Sequence, residues 1–177
     1  APTALPGFDP ELVQYAMEVL QKKGVTFKIG VAIRECTPDS VKLANGEEIK
    51  TATVVWTGGV RGNRLVEEAG FETVRGRVKA DEFLRIPGYS DIFVIGDCSI
   101  VMNEEGRPYP PTAQMAIQQA EVMAKNLLAV IRGSELRPFK YASKGTVASL
   151  GKHEAIGVAF NRKLRGGTAS MLKKLID

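Results

Sequence analysis

The apolar run Ile92–Ile95, which leads directly into Gly96 and Asp97, constrains the fold of this chain more than any other feature of its sequence. A short continuous apolar run predicts a strand buried on both faces, as in sheets that are covered by helices. After a loop rich in turn formers, Thr112 can cap a long helix that reaches about Arg132 with apolar residues at helical spacing. A buried strand followed by a long amphipathic helix predicts the α/β class.

The chain before this strand predicts one helix and then an antiparallel meander. Asp9 and Pro10 have the residue types of a helix cap and a first helical position, and Gly24 can end that helix. Beyond it the apolar period changes, and Asn45-Gly46 is a strong signal for a tight hairpin. The β-rich runs are Val25–Ile29, Val31–Glu35, Val41–Leu43 and Thr53–Trp56.

Shorter elements are predicted on either side of the long helix. Residues 63–70 favour a short helix, and residues 73–86 favour one or two short strands. Thr146–Leu150 and Ala155–Phe160 predict a second hairpin. The best boundary candidate lies near Pro87-Gly88, where the meander-bearing part gives way to the strand and the long helix.

Composition predicts a globular chain. Of its 177 residues, 44% are hydrophobic and 25% charged, which suits one sizeable core or two small ones. The sequence has no apolar run of about 18 residues and no basic-then-apolar leader, so we expect a soluble or peripheral protein. Cys36 and Cys98 form neither a CxxC pair nor a metal-ligand spacing. We therefore expect a reducing compartment and no metal.

The chain is basic, with a net charge of +4. Part of that excess lies in the last segment, where a set of cations faces the single acid Asp177. This basic segment predicts either contact with anionic lipid or a solvated basic face, and the charges alone leave both open. The cations are Arg162, Lys163, Arg165, Lys173 and Lys174.

Gly96 and Asp97 are the first candidate site, because open α/β sheets bind ligands at the carboxyl ends of their strands. Gly96 would let a ligand approach the backbone closely, and the Asp97 carboxylate can accept a hydrogen bond from a ligand hydroxyl. The alternative is that Asp97 only caps the turn that follows.

The second candidate site is the start of the long helix, at Pro110–Gln114. A helix N-terminus offers free N–H groups and a partial positive charge, which would stabilise the negative charge that a flavin develops on reduction. Gln114 and Gln118 lie on one helical face, where their amides could bind a quinone carbonyl. The alternative is that these two residues and Gln119 are solvated surface.

The glycines Gly58 and Gly59 follow a β-like run and form a third candidate. They permit close approach by a dinucleotide, but a crossover between domains also needs unusual backbone angles and is slightly favoured. His153 has no triad or metal signature and Cys98 has no partner nearby, so both are interpreted as structural. The sequence contains neither GxGxxG nor GxxxxGK[ST], which argues against a self-contained Rossmann domain.

Four motifs in series resemble type II NADH dehydrogenases: Thr57–Gly62, Ile92–Cys98, Pro108–Gln114 and Gly145–Gly151. The resemblance runs along the whole chain, although both glycine fingerprints of that family are missing. It therefore implies a partial two-dinucleotide-binding-domain flavoprotein with incomplete Rossmann-like parts. In this division, 1–87 would be the later half of the NADH domain with the meander, 88–138 the closing strand and long helix of the FAD domain, and 139–177 the start of the C-terminal membrane and quinone region.

The resemblance also implies roles for individual residues. Asp97 would bind the ribityl chain of FAD together with Gly96, and the Ala113 N–H would donate to the isoalloxazine ring. Gln114 would stand between the flavin and the quinone pocket. The remaining implied positions are Lys173 reaching the flavin, Ile176 with Gln118 at the quinone site, and Gly58 and Gly59 near the meeting point of NADH and FAD. No catalytic acid or base and no metal ligand is expected.

The function implied by the resemblance is electron transfer from NADH through FAD to a membrane quinone, without proton pumping, on the cytoplasmic face of the cell membrane. The C-terminal region would contact the membrane surface, and no nucleic acid is expected as a partner. Unpaired sheet edges predict pairing between two copies of the chain. Because the fingerprints are missing, we expect the chain by itself to retain no FAD and to be inactive.

Two other functions are kept as alternatives. A sulfide:quinone oxidoreductase shares the two-domain plan but needs cysteines that approach each other across the flavin, for which Cys36 and Cys98 are poor candidates. A non-catalytic α/β binding module could use the basic segment on a membrane. It lacks a recognised nucleic-acid motif.

Overall fold

The structure, a computed structural model, describes residues 3–159 and 162–176, without the side chains of 174–176. Its contacts divide the chain into two compact units, one formed by Ala1–Thr57 with Lys144–Asp177 and the other by Gly58–Ser143. The boundary between Thr57 and Gly58 is where the sequence favoured a crossover. The predicted division at 87 and 138 refers to the domains of a complete two-domain flavoprotein and stays a prediction.

The first unit begins with the predicted helix. Helix α1 spans Pro10–Lys22, and the Asp9 side chain caps it by accepting from the Glu11 N–H. Gly24, with a φ of +87°, follows the helix in the left-handed conformation that glycine favours. The cap and the start of α1 are confirmed, because both depend on residues that are neighbours in sequence.

An antiparallel meander follows α1. Strands β1 (Ile33–Cys36), β2 (Ser40–Leu43) and β3 (Glu48–Lys50) pair in that order, which confirms the meander and its tight turn. The predicted strands at 25–29 and 53–56 are wrong. Val55 is 80% and Trp56 68% exposed, and the described residues there belong to no strand. A strand needs a neighbouring strand to satisfy its backbone, and β propensity does not supply one.

The second unit opens with short elements. Helix α2 spans Arg64–Glu68 behind an Asn63 cap, as predicted. Strand β4 (Val78–Lys79) pairs in parallel with β5 (Ser99–Ile100), which confirms one short strand between 73 and 86. A 3₁₀ turn, Gly96–Cys98, leads directly into β5.

The buried strand predicted at Ile92–Ile95 is wrong as an element. Phe93 makes only an isolated bridge with Arg85, although Val94 lies in a core cluster with Val78 and Ile86. Val94 is buried, and Ile92, Phe93 and Ile95 are half-buried, so the apolar run predicts full burial for one residue of the four. It does not form a strand because the described residues beside it provide a single bridge and no ladder.

Helix α3 spans Ala113–Arg132, and the Thr112 hydroxyl accepts from the Met115 N–H at 3.3 Å. Gly133 ends it with a φ of +66°. Met115 packs in a second core cluster with Leu84, Val101 and Phe139. This element is confirmed from its cap to its terminating glycine.

The C-terminal segment completes the first unit. Strands β6 (Thr146–Ser149), β7 (Ala155–Ala159) and β8 (Arg162–Gly166) form an antiparallel sheet in sequence order, and helix α4 spans Gly167–Ile176. The hairpin is confirmed, whereas β8 was not predicted because its charged residues hide the β pattern. No described helix is long and apolar enough to cross a membrane.

Candidate functional site

The structure brings the first two candidate motifs together in the second unit. The 96–98 turn packs against α3, and a narrow cleft, too small to hold a water molecule, lies between the turn and the segment that enters the helix. Residues far apart in sequence therefore share one small surface. The cleft is lined among others by Gly96, Ser99, Pro110, Pro111, Thr112 and Gln119.

Gly96 occupies a backbone conformation that favours glycine. Its φ is +63°, in the left-handed region where a Cβ meets the backbone. A Cβ built on Gly96 would lie 3.8 Å from the Ala116 Cβ, which is ordinary contact. Conformation and not space therefore selects glycine at this position.

Asp97 is exposed on the turn. The hydroxyl of Ser99, and not Asp97, bonds the backbone of the turn, by donating to the Gly96 carbonyl at 2.9 Å. Ile95, the residue before the turn, makes no side-chain cap, and the alternative in which Asp97 caps the turn that follows it stays a prediction. The carboxylate projects from a turn that is held by other groups.

The start of α3 presents backbone donors beside this turn. The first intrahelical bond runs from the Ala116 N–H to the Thr112 carbonyl. The N–H of Ala113 therefore lies before the first intrahelical hydrogen bond. Ala113 is exposed. N–H groups without an intrahelical hydrogen bond, together with the helix dipole, make this end of α3 partly positive.

The three glutamines of α3 have different environments. Gln119 is fully buried, so the solvated-surface alternative is wrong for it. Gln118 bonds the backbone of Ala142 at both ends of its amide, at 2.9 and 3.0 Å, and Gln114 is half-buried with an interaction of its own. The assigned quinone roles of Gln114 and Gln118 stay predictions.

Of the predicted site residues, Gly96 lines the cleft and the others do not. Gly58 and Gly59 are exposed, and Gly59 has a φ of +121°. Lys173 lies half-buried on α4 in the first unit, where it makes an interaction. Ile176 ends α4, and its side chain falls outside the described residues.

Neither cysteine belongs to a metal or disulfide site. Cys36 is exposed and Cys98 half-buried, and both are free. The Cys98 sulfur accepts from the Asn63 N–H at 3.5 Å. Across residues 3–159 and 162–176, no group of three or more histidine, cysteine or acidic side chains could hold a metal ion.

Two residues of the cleft were missed by the sequence analysis. Gln119 lies at helical spacing from buried Met115, so the apolar stripe of α3 could have predicted its burial. Arg77 donates to the Ser99 carbonyl at 2.7 Å, while its Nε is the one buried side-chain N or O atom without a partner among the described residues. No sequence signal marks Arg77.

The class of protein follows from comparison with known families. The family model of the pyridine nucleotide-disulphide oxidoreductases matches residues 1–120. The chain belongs to this family.

Within the family, the chain is similar to type II NADH:quinone oxidoreductases, as its motifs predicted. The protein of that name from Staphylococcus saprophyticus is 45% identical over 181 residues, which cover 100% of this chain and 45% of the relative. One from Staphylococcus aureus strain MSSA476 is 42% identical with the same coverage. The chain thus spans less than half the length of these curated relatives.

Solved structures confirm the predicted α/β fold class. An NDH2 from Plasmodium falciparum in complex with NADH matches with a TM-score of 0.85 at 16% identity, over 99% of this chain and 52% of that one. The sulfide:quinone oxidoreductase from Aquifex aeolicus matches with a TM-score of 0.73 at 20% identity, over 99% and 46%. At these identities the likeness concerns the fold.

Proposed function

We propose that this chain supplies part of the FAD-binding and electron-acceptor side of a type II NADH:quinone oxidoreductase. The observation that carries the proposal is the meeting of the Gly96–Cys98 turn with the N-terminus of α3 at one cleft. The name and 45% identity of the staphylococcal relative support the choice of substrates.

Groups that adjoin the cleft fit the chemistry of FAD. An exposed carboxylate on a glycine turn can accept a hydrogen bond from a ribityl hydroxyl. The N–H groups at a helix start, which have no intrahelical partner, can donate to the electron-rich pyrimidine edge of a flavin. When bound, the flavin would supply the hydride acceptor for NADH and the electron donor for the quinone. The contribution of the chain is to bind and orient the cofactor and to tune its reduction.

In this proposal Asp97 accepts a hydrogen bond from the ribityl chain and the Ala113 N–H donates to the isoalloxazine ring. Because the start of α3 is partly positive, it favours the form of the ring that carries more negative charge. Gln114 stands between flavin and quinone. The remaining proposed contacts are Gln118, Lys173 and Ile176 toward the quinone side, and Gly58 and Gly59 toward NADH.

The proposal extends to the setting of the reaction. Electrons pass to a membrane quinone without proton pumping. The basic C-terminal segment, in which Arg162 and Arg165 are exposed, faces the cytoplasmic membrane surface. The sequence lacks a GxGxxG fingerprint. Since that motif cradles the pyrophosphate of a dinucleotide, we expect the 177-residue chain alone to retain no FAD and to oxidise no NADH.

Replacing Asp97 with alanine in the full-length protein tests the central contact. The wild-type protein should be yellow and should oxidise NADH with a short-chain quinone. Asp97→Ala should lose about 1.5–3 kcal/mol of FAD affinity, roughly a 10- to 100-fold rise in Kd, since it removes a hydrogen bond to a charged group. Kd is measured by flavin fluorescence after removal and re-addition of FAD.

The matched control is Asp91→Ala, which removes another exposed aspartate that precedes the apolar run. It should leave the FAD Kd unchanged. Equal flavin retention in both variants would contradict the role of Asp97. A colourless wild-type protein would contradict the flavoenzyme altogether and favour a binding module.

A further inference from the structure

The amide of Gln119 joins α3 to the turn that carries Asp97. Its Oε1 accepts from the Gly96 N–H at 2.6 Å, and its Nε2 donates to the Ser99 hydroxyl at 3.1 Å. The Ser99 hydroxyl in turn donates to the Gly96 carbonyl at 2.9 Å. One side chain thereby fixes both ends of the 96–98 turn.

The two side chains of this network are buried. Gln119 is 0% and Ser99 2% exposed, so a group that loses its partner there cannot replace it with solvent. A buried donor or acceptor left unsatisfied costs more than the net gain of an ordinary hydrogen bond. The position of the turn on the helix is therefore strongly specified.

Gln119 belongs to the same helix whose start is exposed at Ala113. With a rise of 1.5 Å per residue, the two positions are about 9 Å apart along the axis of α3. The helix is rigid over this length. A side chain that anchors the turn to α3 thus fixes the separation between Asp97 and the helix start.

We propose that Gln119 is a positioning residue that sets the geometry of Asp97 relative to the N-terminus of α3, and thereby the affinity and reduction potential of the bound flavin. The inference rests on the proposed function, because it assigns both elements to FAD. No contact between Gln119 and the cofactor is proposed. It acts through Gly96 and Ser99.

Asn126 provides a matched control on the same helix. It is also 0% exposed, and its amide holds a different pair of loops: Nδ2 donates to the Phe83 and Arg137 carbonyls at 3.1 and 3.0 Å, and Oδ1 accepts from the Arg137 N–H at 2.8 Å. Asn126→Leu and Gln119→Leu both remove a buried amide network. Only the Gln119 network contains the 96–98 turn.

The test compares Gln119→Leu and Asn126→Leu in the full-length protein. Thermal unfolding of the flavin-free protein should show a loss of stability in both. For Gln119→Leu the FAD Kd should rise about tenfold or more, and the flavin midpoint potential should become more negative as the positive helix start is misplaced. For Asn126→Leu, Kd should stay within about twofold of wild type.

A milder variant keeps the test decisive if Gln119→Leu does not fold. Ser99→Ala removes the hydroxyl that links Nε2 to the Gly96 carbonyl but leaves the bond from Gly96 to Oε1. It should raise Kd about threefold to tenfold and shift the potential in the same direction.

The possible outcomes separate the two proposals. Variants at 119 and 99 that are destabilised but have wild-type Kd and midpoint potential would overturn the positioning role and leave the flavoenzyme standing. A wild-type protein that binds no FAD would overturn the proposed function and this inference with it. A shift of Kd and potential at 119 and 99, with none at 126, supports both.

Discussion

Replacing Gly96 with alanine tests whether the cleft turn selects glycine for its backbone angles. The φ of Gly96 is +63°, and an L side chain in that region costs about 1–2 kcal/mol. Alanine also reduces the entropy of the unfolded chain, which returns about 0.4–1 kcal/mol. The nearest contact of a new Cβ is the Ala116 Cβ at 3.8 Å, which adds no clash. We therefore expect Gly96→Ala to lower the free energy of unfolding by about 1 kcal/mol.

Two other glycines separate backbone strain from steric clash. Gly106 has a φ of +71° and open space where its Cβ would be, so Gly106→Ala should cost the same as Gly96→Ala. At Gly62, a Cβ would lie 1.7 Å from the carbonyl oxygen of Gly76. Because that atom belongs to the backbone and cannot rotate away, Gly62→Ala should cost more than about 3 kcal/mol.

Urea unfolding of the 177-residue chain, followed by circular dichroism, measures all three variants. The expected order is a large loss for Gly62→Ala and similar small losses for the other two. A loss at Gly106 without one at Gly96 would show that the cleft turn does not need a positive φ. Equal losses at all three positions would refute the distinction between strain and clash.

Two predictions concern the pH dependence of the first unit. The Lys163 ammonium, which bonds Asp9 at 2.8 Å, lowers the pKa of that carboxyl from its ordinary value of 3.8. The contribution of this pair to the free energy of unfolding is present above pH 3.8 and is lost as the pH falls through the lowered pKa. Urea unfolding across this range should show a smaller acid loss in Lys163→Met, and an unchanged profile would contradict the pairing. The hydrogen bond from the Tyr15 hydroxyl to Glu154, 2.9 Å long, raises the pKa of Tyr15 above 10.0. The contribution of this hydrogen bond to the free energy of unfolding is present below pH 10.0 and is lost as the pH rises through the raised pKa. Tyr15→Phe should remove this loss of stability at alkaline pH. A pH profile that matches the wild type would refute the assignment.

Helices were predictable where their ends are encoded locally. Asp9 and Thr112 each cap a helix by accepting from a backbone N–H within three residues, and Gly133 ends α3 in the left-handed conformation. These interactions need nothing from the rest of the chain. The sequence therefore locates α1 and α3 almost to the residue.

Strands failed where their partners are distant or missing from the described residues. The turn at Asn45-Gly46 joins two strands that pair with each other, so local sequence is sufficient. The apolar runs at 53–56 and 92–95 consist of β-branched and aromatic residues but have no neighbouring ladder. Pairing is a tertiary property, and apolar character alone predicts burial for only some of these residues.

The candidate site could be predicted in its parts but not in its geometry. Gly96, Asp97 and the start of α3 were recognisable because glycine, a carboxylate and a helix cap each have a local chemical meaning. That the turn and the helix start lie side by side follows from the packing of the 96–98 turn on α3, which no spacing in the sequence encodes. Asp97 is therefore a sequence-level candidate whose role depends on tertiary structure.

The polar residues in the buried stripe of α3 are the signal that connects sequence to this geometry. Met115, Gln119, Asn126 and Ala129 are its buried positions, and an amide is retained there only if its hydrogen bonds are satisfied. Each amide accordingly holds a loop: Gln119 holds the 96–98 turn, and Asn126 holds the backbone at Phe83 and Arg137. A glutamine or asparagine at a buried helical position thus predicts a loop anchored to that helix. In this chain one such loop carries Asp97, so α3 anchors the turn that holds the proposed FAD carboxylate.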